Sequence, residues 1–317
     1  MKVWPNPFIE DRADPHILRH GQRWYFTGSV PDYDSLELRC ADTLMGLRDA
    51  EPVTVWRKPD TGPCRELIWA PELHQIDGVW VIYFCAAPSR EQIDGLCQHR
   101  MFTLVCDGND PMTGSWQESH QIATPLDTFS LDGTYCFHQG RHWYLWAQQN
   151  PNVAGNTCIY LAELSNPWTL KGEPLMLSHP EFRWEKKGGD GVNGVNEAPT
   201  TLAHGDRLFV AYSAAATDEN YGMGLLWINK DADPLQLSNW IKLDHAVLST
   251  DEKNEQYGPG HSCFTTDENG RDVLVYHSRN HTGISEGPAH VRHTRLKYFC
   301  WDEAGMPDFG VPPAENH

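Results

Sequence analysis

Three acidic residues stand in similar surroundings at widely separated points of the 317-residue chain. Asp14 lies in the segment ADP, Asp132 in SLDG and Glu197 in NEAP. Carboxyl groups that meet in one pocket can break a glycosidic bond, because one protonates the leaving oxygen while another deprotonates the attacking water. Each acid taken alone is equally typical of a turn or loop. The prediction therefore depends on a fold that brings the three together.

The three acids belong to a sequence unit that occurs five times. Each copy starts with an acidic or polar residue beside Pro or Gly, passes a turn glycine, and ends in an aromatic-rich strand. The copies begin at Ala13, Trp69, Leu131, Asn196 and Gly258. Their marker residues, separated by 58, 60, 65 and 64 positions, are Asp14, Glu72, Asp132, Glu197 and His261.

The length of the unit predicts the architecture. No long apolar stripe of helical period occurs, and a unit of about 63 residues has room for about four strands. We predict an all-β fold, a five-bladed β-propeller of four-stranded blades around a central channel, as a single domain over residues 1–317. Closing the ring would bring the first strand of every blade to the channel. Three carboxyls crowded there should raise the pKa of at least one.

Several segments of the sequence resemble glycoside hydrolase family 43, in particular its α-L-arabinofuranosidase-like members. They are RADPHILRHGQRWYFTGS, IWAPELHQIDGVWVIYF, FSLDGTYCFHQGRHWYLW, VNEAPTTL with LFVAYSA, QYGPGHSCF and RHTRLKYFCWDEAGMPDFG. Together they cover nearly the whole chain. The resemblance implies a five-bladed propeller and hydrolysis with inversion of configuration, and so agrees with the repeat count.

The resemblance also implies roles for the three acids. Asp14 resembles the general base, Glu197 the general acid, and Asp132 the carboxylate that orients the acid and tunes its pKa. Ala198 replaces a glycine that many family members have after the acid, and we expect little effect because the carboxylate remains.

Further residues are implied with less specificity. His261 resembles a histidine below the active site that borders a central calcium or sodium ion, so a water-mediated metal contact and a structural Ca or Na ion in the channel are expected; no cofactor is required for the chemistry. Arg292 resembles a pocket arginine that contacts the sugar or the acid, with Arg295 as the alternative three residues later.

Aromatic residues are the candidate sugar platforms. The chain has 13 Trp, of which most are expected in the core. Trp69 and Tyr135 are predicted to bind substrate, because an aromatic face suits the apolar face of a sugar. His261 and Arg292 are the other two predicted substrate-binding residues. Glu72 marks the second unit, yet a structural hydrogen-bonding role is favoured for it. The glycine-rich stretch 186–194 is interpreted as a loop that rims the pocket.

Bulk composition excludes several classes of partner. The formal charge is −18, with 25 Lys and Arg against 43 Asp and Glu, so nucleic acid and anionic membranes would be repelled. Nine scattered cysteines without a CxxC pair argue against a disulfide framework. Since the amino terminus also lacks an apolar signal region, a cytoplasmic protein is expected. The oligomeric state is left open.

The predicted function is an inverting glycoside hydrolase that releases terminal α-L-arabinofuranosyl residues from arabinose-containing oligosaccharides or polysaccharides. A β-xylosidase or endo-arabinanase would use the same carboxylates, with an arabinose- or xylose-containing substrate as partner. A non-catalytic sugar-binding propeller is the third alternative. A WD or kelch interaction propeller is disfavoured, because its repeats are about 40–50 residues long.

Overall fold

The structure is a computed structural model that describes residues 4–93, 95–117, 120–189, 194–283 and 292–316. Its regular structure consists of antiparallel sheets and four short 3₁₀ helices, and five of the sheets are the blades of a propeller. The all-β, five-bladed fold predicted from the repeat is thus confirmed. No helix of the described residues is long and apolar enough to cross a membrane.

Each blade is built from strands that follow one another along the chain. The first blade contains β1 (Ala13–His20), β2 (Arg23–Ser29), β3 (Ser35–Ala41) and β4 (Val53–Arg57). The second contains β5 (Glu66–Ile76), β6 (Val79–Ala87), β9 (Arg100–Asp107), β10 (Ser115–Trp116) and β11 (His120–Gln121). A small separate hairpin of β7 (Gln92–Ile93) and β8 (Leu96–Cys97) lies between β6 and β9 in the chain.

The third and fourth blades repeat this order. The third contains β12 (Ser130–His138), β13 (Arg141–Gln148), β14 (Cys158–Asn166) and β15 (Thr169–Ser178). The fourth contains β16 (Asn196–His204), β17 (Arg207–Ala214), β18 (Gly222–Asn229) and β19 (Ile241–Lys242). The 3₁₀ helices lie at Met45–Leu47, Arg183–Lys186, Leu237–Asn239 and Glu252–Asn254.

The last blade differs from the predicted four strands. It contains β20 (Tyr257–Thr266), β21 (Asp272–Arg279) and β22 (His293–Tyr298), and a hairpin of β23 (Cys300–Trp301) and β24 (Pro307–Asp308) follows. The amino-terminal segment pairs with the outer side of β22, where Ile9 and Thr294 form a bridge. The two ends of the chain thereby meet in one blade, which joins the first blade to the last.

Five hydrophobic clusters fill the spaces between neighbouring blades. The cluster between the first two blades, for example, combines Leu36 and Leu38 with Trp80 and Ile82. Because each blade packs on both faces, its middle strands are apolar at consecutive positions. This explains the nine-residue run VWVIYFCAA of β6, of which all but the first residue are buried.

The innermost strand of every blade carries a bulge at the same point. Register shifts interrupt β1, β5, β12, β16 and β20 where each enters the channel. At each bulge one non-glycine residue has a positive φ of 46–57°, and these residues are Asp14, Ala70, Asp132, Ala198 and His261. A left-handed backbone of this kind is costly outside glycine and persists only where its surroundings hold it.

Candidate active site

A cavity of about 330 Å³ is lined by residues from all five blades. Asp14, Asp132 and Glu197 all contribute to its wall, although they lie far apart along the chain. They come together because each stands at the bulge of an innermost strand. His261 and Arg292, also singled out from the sequence, line the same cavity.

Asp14 is held as a carboxylate by several donors. Its Oδ2 accepts a hydrogen bond from the Ser29 hydroxyl at 2.6 Å, and its Oδ1 accepts one from Arg292 at 3.1 Å. The Nδ1 atom of His261 lies 3.3 Å from the same Oδ1. Burial alone would raise the pKa of Asp14, but Arg292, His261 and Ser29 together lower it below the usual value. Asp14 is therefore ionised at neutral pH.

The pKa of Glu197 is shifted in the opposite direction, upward. Burial raises its pKa to about 7, the negative charge of Asp14 adds to the shift, and a hydrogen bond from the Tyr221 hydroxyl to Oε1 at 2.7 Å opposes it. Desolvation is thus the main cause of the raised pKa, and it contributes more than the crowding of charges that was expected from the sequence. A carboxyl with such a pKa can carry a proton near neutral pH.

Asp132 contacts the backbone next to Glu197. Its Oδ2 accepts the backbone N–H of Ala198, the residue after Glu197, at 2.9 Å. Burial raises the pKa of Asp132 well above the usual value, and the charges of Glu197 and Asp14 raise it further. The hydrogen bond to Ala198 ties the third blade to the backbone that carries Glu197.

Arg292 rather than Arg295 reaches the cavity. Besides Asp14, it approaches Nε2 of His277 at 3.4 Å. Arg295 is fully buried and binds Asn6 and Glu315 near the two ends of the chain. The structure therefore places Arg292 beside Asp14 in the cavity wall, and the contact with the sugar or the acid that the resemblance implied stays a prediction.

His261 does not stand in a ligand set typical of calcium or sodium. Its backbone N–H donates to Ser213 Oγ at 2.8 Å, and its Nδ1 faces Asp14 and, at 4.0 Å, Asp132. Among the described residues, the group of three close His, Cys, Asp or Glu ligand atoms lies elsewhere and does not include His261. Hard cations prefer six to eight oxygen ligands. Water would therefore supply nearly every ligand of the predicted channel ion, in keeping with the expected water-mediated contact, and the ion stays a prediction.

Trp69 forms part of the cavity wall, as expected for a sugar platform. One face of its indole stacks on His99, with ring centroids 3.9 Å apart and planes inclined by 24°. Tyr33 contacts it edge-on. The stack fixes the orientation of the indole, so Trp69 is placed where it can contact a bound sugar.

Tyr135 and Glu72 do not reach this cavity. Tyr135 lies three residues beyond Asp132 on β12 and lines a second cavity of about 420 Å³, further along the innermost strands, where its hydroxyl contacts His142. Substrate binding by Tyr135 in the carboxylate pocket is therefore not what the structure shows. Glu72 lies two residues after the bulge residue Ala70, so it is not the structural counterpart of Asp14.

Two tyrosines of the site were not predicted from the sequence. Tyr221 donates to Glu197 from the loop before β18, and Tyr33 lines the cavity from the loop after β2. Neither belongs to the repeated segment, so no periodicity could have revealed them. Of the glycine-rich stretch 186–194, residues 190–193 lie outside the described residues; Val195, which follows it, lines the cavity.

Residues 4–307 match the family model described as glycosyl hydrolases family 43. The chain belongs to this family. Its fold agrees closely with the crystal structure of α-L-arabinofuranosidase from Lactobacillus brevis, at a TM-score of 0.95 and 47% identity over 99% of this chain and 98% of that one.

Two curated relatives of this family 43 chain extend the comparison. An extracellular exo-α-(1→5)-L-arabinofuranosidase of Streptomyces avermitilis is 44% identical over 99% of the chain, and α-L-arabinofuranosidase 43 of Humicola insolens is 41% identical over 97%. The chain spans 64% and 63% of the lengths of these two relatives. The name of the Streptomyces protein gives no support to the cytoplasmic location expected from the sequence.

Proposed function

We propose that this family 43 chain is an inverting α-L-arabinofuranosidase that releases terminal arabinofuranosyl residues. The observation that carries the proposal is the meeting of Asp14 and Glu197 in one cavity with pKa values shifted in opposite directions. A pair of carboxyls set apart in this way supplies one base and one acid.

Asp14 is the proposed general base. Because its pKa is lowered, it is ionised and can accept a proton from a water molecule in the cavity. Ser29 and Arg292 hold the two carboxylate oxygens from different sides, which limits rotation of the group. The oxygen of the deprotonated water forms the new bond to the anomeric carbon.

Glu197 is the proposed general acid. It gives its proton to the glycosidic oxygen as the bond between that oxygen and the anomeric carbon breaks, so the aglycone leaves as an alcohol. After release, the proton taken up by Asp14 is returned to solvent and Glu197 is protonated again. Asp132 is proposed to position Glu197 through its hydrogen bond to the Ala198 backbone.

The substrate class follows from the relatives. Two curated proteins at 41–44% identity are named arabinofuranosidases, and the name of one specifies exo action on α-(1→5) bonds. The similar fold of β-xylosidases and endo-arabinases, at 17–18% identity, shows architecture alone. An arabinose-containing oligosaccharide with a free non-reducing end is therefore the proposed partner.

A substrate panel tests the activity. Purified protein is incubated with 4-nitrophenyl α-L-arabinofuranoside, 4-nitrophenyl β-D-xylopyranoside, α-(1→5)-linked arabino-oligosaccharides and arabinan. We expect turnover of the arabinosides, with arabinose as the product. Release of the inverted anomer in the first turnover, followed by proton NMR, supports the mechanism; the retained anomer, or turnover of the xyloside alone, contradicts the proposal.

Leaving-group dependence separates the acid from the base. Glu197→Gln should lower kcat/KM about 10²–10⁴-fold on arabino-oligosaccharides but much less on a dinitrophenyl arabinoside, whose leaving group needs little protonation. Asp14→Asn should lower kcat/KM on both substrates by similar factors. Asp206→Asn, an exposed acid in the β16–β17 turn, is the matched control and should change neither. Equal losses for Glu197→Gln on both substrates would refute its role as acid.

A further inference from the structure

One layer of side chains lies in the channel directly beyond the bulges. The layer consists of the first paired residue after each bulge, and its members are His16, Glu72, Thr134, Thr200 and Cys263. All five are buried. Every member except Glu72 also lines the second cavity, so solvent reaches the layer from that cavity.

Within this layer, two imidazoles converge on one carboxylate. Oε2 of Glu72 lies 2.8 Å from Nε2 of His74 and 3.8 Å from Nε2 of His16. The three residues are the group of the described chain whose ligand atoms all lie within 4.8 Å of one another. Ligands bound tetrahedrally at about 2.0–2.1 Å from an ion are about 3.3 Å apart, and the two distances to Glu72 lie on either side of that spacing.

No Lys or Arg of the described residues forms an ion pair with Glu72. Asp14 has Arg292 beside it, but the ion pairs of Glu72 among the described residues are with His16 and His74. A buried carboxylate without a cation is costly.

His16 has unused binding capacity. Its side chain is nine-tenths buried, and its Nδ1 has no hydrogen-bond partner among the described residues. Buried polar groups are normally paired, and an exception needs an explanation. No hydrogen bond at Nδ1 therefore fixes the imidazole ring of His16, which can turn toward a ligand.

We propose that His16, Glu72 and His74 bind a divalent transition-metal ion of the zinc class. Two imidazole nitrogens and one carboxylate oxygen suit Zn²⁺, whereas Ca²⁺ and Na⁺ select oxygen-rich sites. A water molecule from the second cavity completes the coordination. The ion joins β1 to β5, and so pins the first blade to the second just below Asp14. This site does not depend on the proposed activity.

Cobalt titration tests the site directly. The full chain is treated with a chelator, dialysed, and titrated with Co²⁺, whose tetrahedral complexes absorb visible light. We expect one ion per chain, displaced by Zn²⁺ and not by millimolar Ca²⁺. His74→Gln and the nearly isosteric Glu72→Gln should each lower the affinity more than about tenfold, the smallest effect typical of losing even an outer partner of a ligand. His20→Gln, exposed on the same strand β1, is the control.

Thermal unfolding provides a second readout that needs no enzymatic activity. Zn²⁺ should raise the Tm of the wild type and of His20→Gln, because it binds the folded state. Zn²⁺ should leave the Tm of Glu72→Gln unchanged. Circular dichroism checks that this variant is folded. The proposal is overturned if the wild type takes up no Co²⁺, if the ligand variants bind as well as the control, or if Ca²⁺ displaces Co²⁺.

Discussion

At the scale of single residues, the chemistry depends on what surrounds each carboxyl. Asp14 and Glu197 line the same cavity and are both buried from bulk water, yet Asp14 faces Arg292 and two imidazoles, whereas Glu197 faces a tyrosine hydroxyl. Arg292, His261 and the Ser29 hydroxyl outweigh desolvation at Asp14, and desolvation dominates at Glu197. The types of the acids alone do not assign these roles.

The pH profile of kcat/KM should reflect the two shifts. Glu197 must be protonated, so activity should fall as the pH rises through about 7. Asp14 must be ionised, so activity should fall only when the pH drops below the ordinary aspartate value of 3.8. A profile measured with an arabino-oligosaccharide should thus be broad on the acid side. An acid limb centred above pH 5 would contradict the state assigned to Asp14.

Tyr221 is predicted to position Glu197 and to limit its pKa. Because its hydroxyl stabilises the charged carboxylate, Tyr221→Phe should raise the pKa of Glu197 and move the alkaline limb of the profile to higher pH. Tyr160→Phe, which removes a hydrogen bond donated by the Asn150 amide to the Tyr160 hydroxyl, should leave the limb in place. A loss of kcat at every pH without a shift of the limb would indicate a merely structural role.

At the scale of the elements, the bulges position the site. The backbone N–H of each left-handed residue donates to a side chain of the preceding blade in at least four of the five cases. The acceptors are His277 for Asp14, Ser29 for Ala70, Asp132 for Ala198 and Ser213 for His261. Each bulge is therefore held by the neighbouring blade, which accounts for the persistence of an unfavourable φ.

The bulge of β12 allows a sharp test. A Cβ added at Gly133, next to Asp132, would lie 1.7 Å from the Tyr144 hydroxyl oxygen. Gly133→Ala should therefore lower the free energy of unfolding by about 1–3 kcal/mol and also lower kcat, because overpacking shifts the adjacent backbone. Denaturant unfolding and steady-state kinetics measure the two effects.

Gly46→Ala is the control for that variant. It lies in the surface 3₁₀ helix Met45–Leu47, where an added Cβ approaches no atom closer than 3.0 Å. We expect a change of less than about 1 kcal/mol and unaltered kcat. If Gly133→Ala behaves like this control, the bulge tolerates movement and does not fix Asp132.

At the scale of the whole molecule, the ring depends on how its ends are joined. The amino-terminal segment pairs with β22, and Arg295 connects both ends of the chain by binding Asn6 at 2.6 Å and Glu315 at 2.7 Å. Asn6 also bridges Asn316. These contacts span nearly the full length of the chain, so they form only when the five blades are in place.

Arg295→Met should weaken this closure. It removes the donor to Asn6 Oδ1 and the ion pair with Glu315. We therefore expect a loss of about 2–4 kcal/mol in the free energy of unfolding. Arg57→Met, which breaks an exposed ion pair with Asp34, should cost less than about 1 kcal/mol. Denaturant unfolding compares the two. Similar small losses in both would show that the closure does not depend on Arg295.

The sequence by itself predicted the number of blades, because a period of about 60 residues records it. The same period marks Asp14, Asp132 and Glu197 but also Glu72, and the resemblance to family 43, not the period, set Glu72 apart. Within that period its alignment was off by one or two positions: the counterparts of Asp14 are Ala70 and Ala198, not Glu72 and Glu197. The left-handed position of the bulge holds Asp, Ala or His, so residue types alone do not locate it.

Only the tertiary structure decided which surfaces the side chains share. It brought Tyr221 and Tyr33 into the site from loops outside the repeat, and placed Tyr135 in the second cavity instead. It also completed the last blade with the amino-terminal segment. These features arise from contacts between residues that are distant in the chain and follow no period. Local patterns fix the strands, whereas the closing of the ring fixes which of their ends meet.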